Sequence, residues 1–174
     1  MKQFLMLCAV SFLVGCGVET VPGDEQASGE LATLESDLTV CGRTSCPPNY
    51  SPTAYTCMDG CPNNCTSYFW NAAECVYNSG TITKCSRSCP SGWYVSSYSF
   101  SSSCTSTPSS QEVDPNQTTC VPKPAVGEVS SYTKCGLGDC ATGYHTDSYL
   151  YVDGCRPLAS SSTTANNATV CVAN

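Results

Sequence analysis

Three sets of cysteines with one shared spacing constrain this chain more than any other feature. The sets are Cys41, Cys46, Cys61, Cys75; then Cys85, Cys89, Cys104, Cys120; then Cys135, Cys140, Cys155, Cys171, and fourteen residues separate the second and third members each time. The surroundings repeat as well. An apolar-Thr-x-Cys stretch opens each copy (Leu38-Thr39-Val40-Cys41, Ile82-Thr83-Lys84-Cys85, Tyr132-Thr133-Lys134-Cys135), and Cys-Val closes it at Val76, Val121 and Val172. Asn49-Tyr50, Gly92-Trp93 and Gly143-Tyr144 share one place, and Tyr55, Tyr98 and Tyr149 another. Internal repetition of this kind defines tandem modules, here 38–78, 82–123 and 132–174. A unit this short sits near the lower limit at which apolar burial alone can hold a fold, so covalent staples are expected.

The fold class expected is small, disulfide-rich and all-β: three tandem modules of short antiparallel strands with little helix. Tyr149-Leu150-Tyr151-Val152 is an aromatic and β-branched run, and Asp153-Gly154 after it predicts a two-residue hairpin turn with a left-handed glycine. Asp59-Gly60 repeats that signal, and Ser102-Ser103 is its poorer counterpart in the second copy. The Thr-x-Cys and Cys-Val pieces supply the remaining strands. High serine, threonine, asparagine, glycine and proline content argues against helix.

Fourteen cysteines between Cys41 and Cys171 mark an oxidising compartment. Within a copy, four cysteines allow three connectivities, which spacing does not resolve. Joining near neighbours would constrain the unfolded chain least, which leans the expectation toward first-with-third and second-with-fourth. The first copy has two additional cysteines, Cys57 and Cys65, which pair most economically with each other; Phe100 and Tyr151 stand where Cys57 does.

Ahead of the modules, Met1-Lys2 and a largely apolar run from Phe4 to Val14 read as a signal peptide over 1–15. Its end, Leu13-Val14-Gly15-Cys16, resembles the lipobox of bacterial lipoproteins at all four positions. That resemblance implies acylation of Cys16, with palmitate among the expected chains. Several acyl chains hold firmly where one is marginal, because each buried methylene contributes roughly 0.8 kcal/mol. Gly17, in place of an aspartate, implies the outer membrane by analogy with enteric lipoproteins. Removing Cys8 with the signal and Cys16 by acylation leaves the even count that full pairing needs.

Residues 16–37 read as an acidic tether. Glu19, Asp24, Glu25, Glu30, Glu35 and Asp37 are unaccompanied by any base, cysteine or aromatic after Cys16, so ordering entropy is not offset by burial. Its root-mean-square span would be roughly 25–30 Å. The tether carries most of the net charge of −7, since residues 41–174 hold eight acids against six bases. Nucleic acid is therefore not an expected partner.

Metal, redox and hydrolytic chemistry each lack their usual pattern. Structural zinc favours Cys-x-x-Cys pairs, and a thioredoxin-like pair has the same spacing; the chain has none. His145 is the sole histidine, so any nucleophilic triad must use it, with Asp139 or Asp147 near in sequence. Ser51 and Tyr94 hold its place in the other copies. Asp59, Asp153 and Glu128 approach no calcium-loop spacing. No catalytic residue, cofactor or metal is expected. The sequons at Asn64, Asn116 and Asn167 carry little meaning in a bacterial protein. Tyr50, Tyr55, Trp93, Tyr98, Tyr144 and Tyr149 are candidates to face a ligand, although an aromatic beside a disulfide more often covers it.

Beyond the lipobox, the repeats resemble those of uncharacterised cysteine-rich surface lipoproteins in myxobacteria, a likeness that implies no activity. Cys85-Ser86-Arg87-Ser88-Cys89 is also similar to part of thrombospondin type 1 adhesion modules, but Trp93 and Arg87 do not extend that likeness to their stacked architecture. The expected function is non-enzymatic: a cell-envelope protein anchored through its N-terminal lipid. Its repeats would serve a structural or adhesive role toward a surface glycan or protein. The alternative is an inhibitor of extracellular proteases, with 105–119 and 156–170 as the reactive loops.

Overall fold

Residues 37–158 and 164–174 of the computed structural model are described; Cys16, the signal segment and the tether up to residue 36 lie outside them. Each apolar-Thr-x-Cys stretch is the first strand of a three-stranded antiparallel sheet, and each Cys-Val is part of the last. The first sheet contains β1 (Leu38–Cys41), β2 (Tyr50–Thr56) and β3 (Ala72–Tyr77). The second contains β4 (Ile82–Lys84), β5 (Trp93–Ser99) and β6 (Gln117–Pro122), and the third β7 (Ser131–Cys135), β8 (Tyr144–Leu150) and β9 (Ala168–Ala173). In every sheet the strand last in sequence lies in the middle, giving the orders β1-β3-β2, β4-β6-β5 and β7-β9-β8.

That order puts the fourth cysteine at the centre of each module. Cys75, Cys120 and Cys171 are fully buried, as are Ala72, Ala73, Thr118, Ala168 and Thr169 on the same strands. Little aliphatic volume is present, so sulfur takes its place. The bridges are Cys41–Cys61, Cys85–Cys104 and Cys135–Cys155, and Cys46–Cys75, Cys89–Cys120 and Cys140–Cys171: first with third and second with fourth in each copy. Cys57 pairs with Cys65. Loops of 19 to 31 residues are closed by the six repeated bridges. In the chain-entropy model each contributes about 3 to 4 kcal/mol.

The recurrent Asn/Gly-aromatic pair has a backbone cause. Asn49, Gly92 and Gly143 all have positive φ (67°, 88° and 88°), a conformation open to glycine and tolerated by asparagine. They complete turns closed by Tyr50 N to Pro47 O, Trp93 N to Pro90 O and Tyr144 N to Ala141 O, at 3.0, 3.2 and 3.0 Å. The aromatic then begins the edge strand. That strand bulges at one matched place, between Pro52 and Ala54, Val95 and Ser97, and Thr146 and Ser148.

The hairpin expected at Asp153-Gly154 is absent. β8 ends at Leu150, Asp153–Cys155 is a single 3-10 turn, and Gly154 is not left-handed. Ser102–Cys104 forms the same turn in the second module. The third cysteine must turn inward to reach the first. The extended residue before the turn is also clamped by an asparagine: Asn71 holds Met58, Asn116 holds Ser101 and Asn167 holds Val152, each accepting from the backbone N–H and donating to the carbonyl. A chain fixed at both points cannot reverse into a two-residue hairpin.

Candidate binding site at the first module junction

Successive modules meet through one repeated contact, in which the bulged edge strand of one receives the first-to-third disulfide of the next. At the first junction Cys85 N donates to Pro52 O at 2.7 Å and Cys104 Sγ lies 3.6 Å from Thr53 O. At the second, Cys135 Sγ and Cys155 Sγ lie 3.2 and 3.9 Å from Ser96 O. Thr53 and Ser96 are the bulge residues. The covered cysteines Cys85 and Cys135 are buried, whereas Cys41, which follows no module, is exposed.

Several recurrent aromatics are engaged in this architecture. Tyr55 OH donates to Cys85 O at 3.3 Å across the first junction. Tyr98 packs on the cluster of Cys135, Cys155 and Ala168 across the second, and burial raises its pKa. Trp93 Nε1 donates to Gly80 O at 3.0 Å, and Tyr50 meets Tyr77 edge-on at 5.3 Å. Tyr144 is buried, with its hydroxyl donating within reach of Ala125 O (3.0 Å) and Val129 O (2.9 Å). Tyr149 differs: it packs on no neighbouring module among the described residues and is 49% exposed.

A cavity of about 300 Å³ lies at the first junction, lined by residues of both modules. Arg43 and Thr44 contribute from the turn after Cys41, Tyr50 and Tyr55 from β2, and Lys84 and Ser86 from either side of Cys85. The Arg43 guanidinium carbon sits 4.5 Å from the Tyr55 ring centroid, a cation–π contact. Arg43 Nε is buried without a hydrogen-bond acceptor. Lys84 is half-buried and its pKa is lowered by burial. Two cations therefore share one recess, and neither forms a salt bridge with a described residue.

The second junction has the same residue types, with the arginine hydrogen-bonded. Arg87, matched to Arg43, donates from Nε to Pro115 O at 3.1 Å. Lys134, matched to Lys84, has its pKa lowered by burial and by Lys123, while Asp139 opposes that shift. A smaller cavity there, about 210 Å³, is walled by Tyr94, Val121, Pro122, Val129 and Tyr132. The Tyr94 and Tyr132 rings are 4.9 Å apart, and burial, then Tyr132, raises the pKa of Tyr94.

His145 is exposed on β8, and its Nδ1 is 2.9 Å from Asn174 Oδ1. Asp147, two residues on, accepts from Ser148 Oγ at 3.0 Å. Among the described residues no group of three or more His, Cys, Asp or Glu side chains is placed to hold a metal ion. Sequence reading passed over Arg43 and Lys84, which carry no motif; their signal was that both lie within two residues of a first cysteine. No protein-family model, curated protein or solved structure matches this chain.

Proposed function

We propose that this is a non-enzymatic, lipid-anchored protein of the bacterial cell envelope, at the outer membrane, whose stapled modules present a binding surface. The observation that carries the anchor is cysteine use. The fourteen cysteines from Cys41 to Cys171 bond one another, so none is left over for Cys16, which stands at the end of a lipobox. The observation that favours binding is the first-junction recess, where neither Arg43 nor Lys84 forms a salt bridge with a described residue.

Mass spectrometry of the N-terminus of protein extracted from bacterial membranes tests the anchor. Cys16 bearing a diacylglyceryl group and an N-acyl chain is the expected result; an unmodified N-terminus elsewhere removes the reading.

Protease inhibition is the second reading, favoured by how the 105–116 loop is held. Ser106 N donates to Glu112 Oε1 at 2.9 Å, and Ser109 N donates to Ser67 O at 3.1 Å. A loop fixed in this way is suited to resisting cleavage. Stoichiometric inhibition of a secreted protease at micromolar protein would establish it in place of surface binding, and no inhibition across a panel would discard it.

A further inference from the structure

We propose that the first-junction recess binds the acidic group of an anionic polysaccharide, one uronate or sulfated sugar at a time. The inference rests on the binding role proposed above and names its ligand class. Arg43 presents a planar fork of N–H donors over the Tyr55 ring, and its buried Nε has no acceptor among the described residues. Lys84 lines the same recess and adds a second positive charge, with no salt bridge to a described residue. A planar oxyanion satisfies both. The hydroxyls of Thr44 and Ser86 line the same recess and suit sugar hydroxyls, while Tyr50 offers an aromatic wall to the C–H face of a pyranose ring. About 300 Å³ is at the small end of ligand pockets, which suits one sugar unit and not a folded partner.

The second junction serves as an internal control. There the matched arginine is committed to Pro115 O, and Asp139 acts on the matched lysine. The fold thus does not require these positions to stay unsatisfied. The Arg43 Nε left without an acceptor among the described residues is a feature of the first junction's own residues.

The test is calorimetric titration of the full mature protein in detergent with four probes: trigalacturonate, a sulfated heparin-type tetrasaccharide, maltotriose and triglutamate. Binding of one or both acidic saccharides, weakened by salt, is expected, and preference between them identifies carboxylate or sulfate as the recognised group. Maltotriose should not bind. Arg43→Gln and Lys84→Gln should each lower saccharide affinity about tenfold. Arg87→Gln should leave it unchanged. Absence of free thiols and an unaltered melting temperature verify that each variant is folded. No acidic-saccharide binding at millimolar concentration, undiminished binding by both pocket variants, or equal binding of triglutamate overturns the proposal. Mass spectrometry at Cys16 of the same samples separates the two claims: acylated protein that ignores saccharides loses only this site, and unacylated protein that binds them loses only the anchor.

Discussion

Asn167 holds both backbone groups of Val152, donating from Nδ2 to its carbonyl at 2.9 Å and accepting from its N–H at 2.7 Å. Asn116 does the same to Ser101 at 3.0 and 2.9 Å, and Asn71 to Met58 at 2.9 and 2.8 Å. In each module this asparagine stands four residues before the fourth cysteine. It ties the return segment to the turn that carries the third, a 3-10 turn in the second and third modules.

Replacing the clamp should therefore loosen one module at a time. Asn167→Ala removes two hydrogen bonds, each contributing about 0.5–1.5 kcal/mol net. Amide exchange at Val152 should accelerate roughly five- to hundredfold, with the first module's amides unaffected. Equal acceleration in all three modules would contradict a local clamp.

The three copies and their β character were legible from spacing, because each depends on short-range pattern, whereas the bridging order was only favoured by loop entropy and is fixed by the fold. The clamp was not legible. Asn116 and Asn167 head Asn-x-Thr triplets, which read as glycosylation sequons. In the fold both triplets are structural: Thr118 Oγ1 donates to Ser86 O and Thr169 Oγ1 to Gly136 O. Asp153-Gly154 read as a hairpin for a related reason, since turn chemistry reports local preference and the deciding contact comes from Asn167 across the module. The recess at Arg43 and Lys84 was equally hidden, because one copy supplies the arginine and the next the lysine.

Bridge removal should follow loop length. Replacing Cys57 and Cys65 together by serine opens a loop of 8 residues, and replacing Cys89 and Cys120 opens one of 31. The chain-entropy model assigns about 2.5 and about 3.7 kcal/mol. Burial widens the gap, since Cys120 is inaccessible while Cys57 and Cys65 are not. Calorimetric melting should show the smaller loss for the 57/65 variant; the reverse order would refute this account.

Glu112 should give the 105–116 loop an acid dependence. Hydrogen bonding from Ser106, then from Asn116 and Ser110, lowers its pKa from the ordinary glutamate value, partly opposed by burial. The folded-state value is the lower one, so the contribution to stability is present above the unfolded value and is lost as pH falls through the folded value. The Ser106 amide resonance should titrate with a midpoint below that of a free glutamate, and Glu112→Gln should abolish the step. A midpoint at or above the ordinary value would show that these bonds do not favour the carboxylate.

The outer edge of the third module should resist a further partner because of two residues. Where the other edge strands have Pro52-Thr53 and Val95-Ser96 against the next disulfide, β8 has Thr146-Asp147. A carboxylate and a hydroxyl there favour water over an incoming module. Thr146→Val with Asp147→Ser restores the receiving composition, and light scattering should then detect concentration-dependent association through the Cys41–Cys61 bridge of a second copy, whose Cys41 is exposed. A variant that stays monomeric at millimolar concentration would place the barrier elsewhere.

The second-to-fourth bridges also determine what the protein does under load. Tension entering at Cys41 reaches Cys46, crosses to Cys75, continues to Cys89, crosses to Cys120, continues to Cys140 and leaves at Cys171. Residues 47–74, 90–119 and 141–170 hang off this path as closed covalent loops. They include the 3-10 turns, their asparagine clamps and the edge strands β2, β5 and β8. Pulling on the ends can lengthen only the short connecting stretches until the bridges are reduced. The bridges would thus keep most of the chain between Cys41 and Cys171 out of what tension can extend.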